Sequence, residues 1–86
     1  MNNNDLLDNI DKLHTTELGE DRIRKNLKVN NNDVIAFLKE KILDKDCLIY
    51  KKGKNYYCEI GKIRITVNYY NFCIITAHLM NKKNER

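Results

Sequence analysis

The sequence predicts an α+β domain: three N-terminal helices packed on one face of a C-terminal four-stranded antiparallel β-meander. Three observations predict it. The apolar spacing changes from about 3.6 residues to about two at Cys47. Glycine-led pairs, Gly53-Lys54 and Gly61-Lys62, divide the second half into segments of strand length at hairpin spacing. The stretch Glu59–Leu79 then alternates apolar and polar residues, the pattern of strands with one wet face.

Residues 4–13 place Leu6, Leu7, Ile10 and Leu13 on one helical stripe, with Asn4 as N-cap and His14 at the end. A second helix runs from a Thr15 or Thr16 cap to about Leu27. Glu17, Glu20 and Asp21 come early and Arg22, Arg24, Lys25 and Lys28 late, which complements the helix dipole. Its stripe is thin: Leu18, Ile23 and Leu27. Gly19, one turn before Ile23, costs about 1 kcal/mol against alanine and implies close approach to another element, such as the first helix. After a break at Asn30-Asn31-Asn32, a third helix from Asp33 to about Asp44, capped by Asn32, carries Val34, Ile35, Phe37, Leu38 and Ile42. This wide apolar face predicts the helix that lies across the sheet.

The strands begin with Cys47–Lys52 and Asn55–Ile60, joined by a type II′ turn at Gly53-Lys54. A second such turn at Gly61-Lys62 pairs Ile60 with Ile63, Cys58 with Ile65 and Tyr56 with Val67 on one face. On the other it pairs Glu59 with Arg64 and Tyr57 with Thr66. The third connection lacks glycine. A three-residue loop of Tyr69, Tyr70 and Asn71, with Asn71 left-handed, pairs Val67 with Cys73, Ile65 with Ile75 and Ile63 with Ala77. That register keeps Cys73, Ile75, Ala77 and Leu79 apolar-side and leaves Phe72, Ile74, Thr76 and His78 on the polar side. The tail, Asn81–Arg86, is polar and predicted to fray.

With 86 residues the chain has room for one domain spanning 1–86, a helical part of about 4–45 and a sheet part of about 47–80. No apolar run approaches the ~20 residues of a membrane span, and Met1–Asp5 has neither a basic leader nor an apolar signal core, which predicts a cytoplasmic protein without membrane contact. Three cysteines (Cys47, Cys58, Cys73) without CxxC spacing suit reduced, mostly buried thiols; neither a metal nor a cofactor is expected. The net charge is +4, unevenly placed. Residues 1–46 hold 8 Lys/Arg against 10 Asp/Glu, and residues 47–86 hold 8 against 2. The basic sheet half would attract RNA or another polyanion, or its lysines keep strand edges soluble.

The polar sheet face carries the candidate chemistry. With strands about 4.8 Å apart, Glu59 and His78 flank a gap of roughly 10 Å with Arg64 between them. That arrangement suits metal-independent RNA cleavage by a 2′-hydroxyl: Glu59 takes the proton, His78 protonates the departing 5′ oxygen, and Arg64 holds the phosphoryl charge. Tyr57, Lys62, Thr66, Asn68 and Thr76 are the candidate nucleic-acid contacts around it. The alternative is a non-catalytic interaction module that binds nucleic acid or a protein through the basic half, or pairs with a second copy along an exposed edge strand. In it Glu59–Arg64 is a cross-strand ion pair worth about 0.2–1 kcal/mol.

Two segments carry a family likeness. One is Leu13-His14-Thr15-Thr16-Glu17-Leu18-Gly19, continued by Arg22-Ile23 and Asn26-Leu27. The other is Ile65-Thr66-Val67-Asn68 with Ile74-Ile75-Thr76-Ala77-His78. Together they make the chain similar to the short bacterial proteins grouped as domain-of-unknown-function family 3781. The likeness implies no activity, but it directs attention to Gly19, Arg22, Asn26, Asn68, Thr76 and His78. In architecture alone, with no shared motif, helices before a meander also resemble compact microbial ribonucleases and RelE-like toxins.

Overall fold

A computed structural model describes residues 4–30 and 32–80, and side chains from Asp5 onward within them. The Asn4 cap, Asn31 and the tail after Met80 lie outside those descriptions. In chain order the elements are α1 (Asn4–Asp8), a 3-10 turn (Ile10–Lys12), α2 (Glu17–Leu27), α3 (Val34–Leu43), β1 (Leu48–Lys52), β2 (Asn55–Ile60), β3 (Ile63–Asn68) and β4 (Ile74–Leu79). The strands pair antiparallel in the order β1-β2-β3-β4. This is the α+β meander with its helices on one face.

Local chemistry sets the helix ends. The first predicted helix is split at Asn9, whose carboxamide donates to the Asp5 carbonyl at 2.8 Å and whose N–H bonds the Leu6 carbonyl at 3.1 Å. An asparagine that bonds nearby backbone competes with the helix ladder. α2 starts at Thr16, whose hydroxyl accepts from the Gly19 N–H at 3.0 Å. α3 is capped by Asp33 rather than Asn32, its carboxylate accepting from the Ala36 N–H at 3.0 Å. Gly19 does mark a close approach, though to Thr15 and not to the first helix. A methyl group there would collide with the Thr15 hydroxyl, which itself donates to the Ile74 carbonyl at 3.1 Å. Leu18, expected on the core stripe, is exposed. α2 lies along β4 and α3 over β2, so α3 shares the covering of the sheet.

Both glycine-led turns form where expected. Gly53 and Gly61 have φ of +64° and +59° and open two-residue loops, the sign required at the first loop position of type II′. The β2–β3 pairing matches the expected register throughout, from Ile60 opposite Ile63 to Tyr56 opposite Val67.

The β3–β4 register differs from the expected one. Arg64 pairs with His78, Ile65 with Ala77 and Thr66 with Thr76, but Val67 pairs with Ile74, so Ile75 is the extra residue of a bulge. A bulged residue shifts the strand by one and exchanges the faces on either side. Ile74 and Ala77 are therefore both in the core, while Ile75 is 53% exposed. The loop differs too: the left-handed residue is Phe72 (φ 60°), not Asn71. Asn68 is the cause. Its side-chain oxygen accepts from the N–H of Tyr70 at 2.7 Å and of Asn71 at 3.1 Å, and its carbonyl accepts from the Phe72 N–H at 3.0 Å. Asparagine side chains that mimic a backbone turn fix loops in this way.

The core between helices and sheet is built on Leu6, Ile23, Leu38, Tyr56, Ile65 and Val67, each at most 1% exposed. β1 and β4 are the edge strands. The outer edge of β4 is covered by the segment around α2. The Ile74 N–H bonds the His14 carbonyl at 2.7 Å, and Asn26 Nδ2 donates to the Ala77 carbonyl at 3.2 Å.

Candidate nucleic-acid interface

The face opposite the helices presents its side chains in rows across the strands. One row is Leu48, Glu59, Arg64 and His78; the next is Tyr50, Tyr57, Thr66 and Thr76; the third holds Lys52, Asn55 and Asn68. The longer loop, which sets Val67 opposite Ile74 instead of Cys73, and the one-residue bulge together shift β4 by two residues and place His78 directly opposite Arg64. Glu59 and His78 then stand two strand spacings apart, about 10 Å at the backbone, with Arg64 between.

Three of these side chains form a closed hydrogen-bonded group. Glu59 Oε2 accepts from Arg64 Nε at 3.0 Å, from Arg64 Nη2 at 2.8 Å and from the Tyr50 hydroxyl at 2.8 Å. The Tyr50 oxygen in turn accepts from Arg64 Nη2 at 3.3 Å. The bond to the Glu59 carboxylate pushes the Arg64 guanidinium above its ordinary pKa and also raises that of the Tyr50 hydroxyl, since in both it favours the protonated donor. The Tyr57 ring stacks on Tyr50 with centroids 5.5 Å apart, and the Arg64 guanidinium sits 5.5 Å from its centroid. Tyr50, Tyr57 and Arg64 thus pack as one aromatic and cationic group across β1, β2 and β3.

The remaining expected residues take different places. Thr66 lies in the second row but is only 6% exposed, and Thr76 beside it is half-buried. Asn68 is on the face, yet its side-chain oxygen is spent on the Tyr69–Phe72 loop. Lys62 stands exposed in the turn at the Glu59 and His78 end of the face. His78 is half-buried, and among the described residues nothing hydrogen-bonds its imidazole. Of the five tyrosines that could stack on bases, sequence reasoning placed only Tyr57 in the site and left Tyr50 as an ordinary strand residue. Its signal was present: the Gly53-Lys54 turn, counted outward, puts Tyr50 opposite Tyr57.

Among the described residues no group of three or more His, Cys, Asp or Glu side chains converges as metal ligands do. No helix among them is long and apolar enough to cross a membrane.

The profile of a family described as "Protein of unknown function (DUF3781)" matches residues 7–78, most of the chain. The chain belongs to that family. Neither the curated proteins nor the solved structures compared with the chain give a match. The likeness to ribonucleases and RelE-like toxins therefore rests on element order alone. The first family segment has structural work in this fold: Thr15 and Asn26 hold the β4 edge, Thr16 caps α2, and Gly19 admits the Thr15 hydroxyl. Arg22 is exposed and takes no part in that edge. The second segment, through Thr66, Asn68, Thr76 and His78, runs along the open face.

Proposed function

We propose that this is a cytoplasmic bacterial protein that binds single-stranded RNA on the open face of its sheet. The observation that supports this best is the Tyr50–Tyr57–Arg64 surface, uncovered by any helix, in the basic half of the chain. Half-buried Tyr50 and Tyr57 lie on this face, and tyrosine rings that reach a base stack on it whatever its identity, worth about 1–3 kcal/mol per base, while lysines track the phosphates. Lys52, Lys54 and Lys62 lie at the two ends of the face. Binding of this kind weakens steeply with salt, since each neutralised phosphate releases a counterion.

A second reading, metal-independent cleavage, is favoured by one specific observation: Glu59, Arg64 and His78 lie in one row on three adjacent strands. With a phosphodiester over Arg64, a carboxylate on one side takes the 2′-hydroxyl proton as that oxygen attacks phosphorus. The imidazolium on the other side gives its proton to the 5′ oxygen as the P–O bond breaks, leaving a cyclic phosphate. Against it stands the closed group around Glu59 Oε2, which already accepts three hydrogen bonds from Tyr50 and Arg64.

One experiment separates the two. A fluorescently labelled single-stranded RNA is titrated with protein at several salt concentrations without added metal, and then run on a denaturing gel. Salt-dependent binding that falls at least about fivefold in Tyr57→Ala, with the RNA intact, supports the binding module. RNA cut by the parent protein but not by His78→Ala favours the nuclease. No binding at low salt, by a folded protein, removes both.

A further inference from the structure

Cys47 and Cys58 are far from any CxxC spacing, yet the fold brings their thiols together. In the β1–β2 ladder Ile49 pairs with Cys58, and Cys47 lies two residues before Ile49, so it shares the helix-side face with Cys58 and stands diagonally across from it. Diagonal neighbours are about 7–8 Å apart at the backbone, a little beyond the ~4.4–6.8 Å between the Cα atoms of a disulfide. Cys47 also lies just outside β1, in the link from α3, where its N–H bonds the Asp44 carbonyl at 3.0 Å and no ladder fixes it.

We propose that Cys47 and Cys58 form a peroxide-responsive dithiol, in which half-exposed Cys47 is oxidised first and buried Cys58 resolves it as an intramolecular disulfide. Both thiols are free in this structure. Cys58 is 0% exposed and cannot meet an oxidant itself. Its thiol hydrogen-bonds the Cys47 sulfur, which lowers the Cys47 pKa against the opposing effects of burial and the Asp44 charge. The same bond, with burial, pushes the Cys58 pKa up. Solvent thus reaches the Cys47 sulfur, and the buried Cys58 thiol waits behind it.

The chemistry closes with one hydrogen peroxide. The Cys47 thiolate attacks one peroxide oxygen, the O–O bond breaks, and the departing hydroxide is protonated to water, leaving a sulfenic acid on Cys47. The Cys58 sulfur then attacks the Cys47 sulfur as its proton passes to the departing hydroxyl. The S–S bond forms, the S–O bond breaks, and a second water leaves. Two thiols are oxidised by two electrons and one peroxide is reduced to two waters. Cys73 serves as the internal comparison. It lies at the start of β4 on the far side of the sheet from β1, and its thiol donates to the Ile74 carbonyl at 3.7 Å.

The test uses the full chain with equimolar peroxide, followed by unfolding in the presence of an alkylating reagent and mass spectrometry of the intact protein and its peptides. Of the three thiols, two should be lost to alkylation, with the mass of two hydrogens gone and Cys47 and Cys58 found in one linked peptide; dithiothreitol should restore all three. Cys73→Ser should keep this product, and Cys47→Ser should abolish it. Cys58→Ala should stop at a Cys47 sulfenic acid that dimedone traps. Three alkylatable thiols after peroxide, a link through Cys73, or direct passage of Cys47 to sulfinic acid would each overturn the proposal. If Cys58→Ala fails to fold, the linked peptide of the parent and its loss in Cys47→Ser still decide it.

Discussion

Ile74 and Ile75 are adjacent, identical in chemistry and opposite in environment, so their truncation tests the bulge that sets the open face. Ile74 is 2% exposed and packs opposite Val67 in the core, while Ile75 is 53% exposed. Cutting a buried isoleucine to alanine loses its transfer free energy and leaves a cavity, about 2–5 kcal/mol together. The same cut at an exposed strand position loses only part of the strand preference, on the order of 0.5–1 kcal/mol. For a domain near this size 1 kcal/mol moves Tm by about 4–8 °C, so Ile74→Ala should lower it by about 10 °C or more and Ile75→Ala by a few degrees. Urea unfolding followed by circular dichroism measures both, and equal slopes would show that only native-state stability changed. If Ile75→Ala costs as much as Ile74→Ala or more, Ile75 faces the core. The bulge is then wrong, and so is the placement of His78 opposite Arg64.

Other perturbations test the site and the motif. A double-mutant cycle of Glu59→Gln and Arg64→Met should give a coupling of about 0.5–1 kcal/mol at low salt that shrinks as salt rises, because the pair is partly exposed. Tyr50 should ionise above the ordinary tyrosine value of about 10, since its protonated hydroxyl donates a hydrogen bond to the Glu59 carboxylate that a phenolate would lose. The stabilisation from that raised pKa is therefore complete below the unfolded value and is lost as pH rises through the folded one. A phenolate absorbance titration and alkaline unfolding should both lose one raised step in Tyr50→Phe and keep that of Tyr56, which burial also raises. Gly19→Ala should destabilise by about 1–3 kcal/mol through collision with Thr15, despite the better helix propensity of alanine. The penalty should fall in a Thr15→Ala background, measured by the same urea midpoints.

The elements were legible in the sequence wherever spacing and turn chemistry agreed. The α3 stripe and the Ile23 and Leu27 part of the α2 stripe follow from helical spacing, and both glycine-led hairpins and the β2–β3 register follow from counting outward from Gly53 and Gly61. What counting could not reach was the β4 side. Phe72, Cys73, Ile74 and Ile75 are four apolar residues in a run, so alternation gives no phase there, and the left-handed residue is a phenylalanine that no turn preference singles out. Beside the bulge the Ile74 N–H bonds the His14 carbonyl, a long-range contact that no local pattern announces. Of the candidate site, Glu59 opposite Arg64 was readable; His78 opposite Arg64 was not, since it depends on the bulge. Caps were misplaced by one residue at α3, where Asn32 and Asp33 are both good N-cap residues and only geometry chooses between them.

The central claim, that the open face is what meets RNA, is tested most directly by an NMR titration of the isotopically labelled protein with a short single-stranded RNA at low salt. The account predicts progressive amide and side-chain shifts at Tyr50, Tyr57, Arg64, Thr76 and His78 that reverse on adding salt, with the helix side of the sheet unmoved. Shifts confined to α2 and α3, or none at RNA concentrations well above those of the protein, would contradict it.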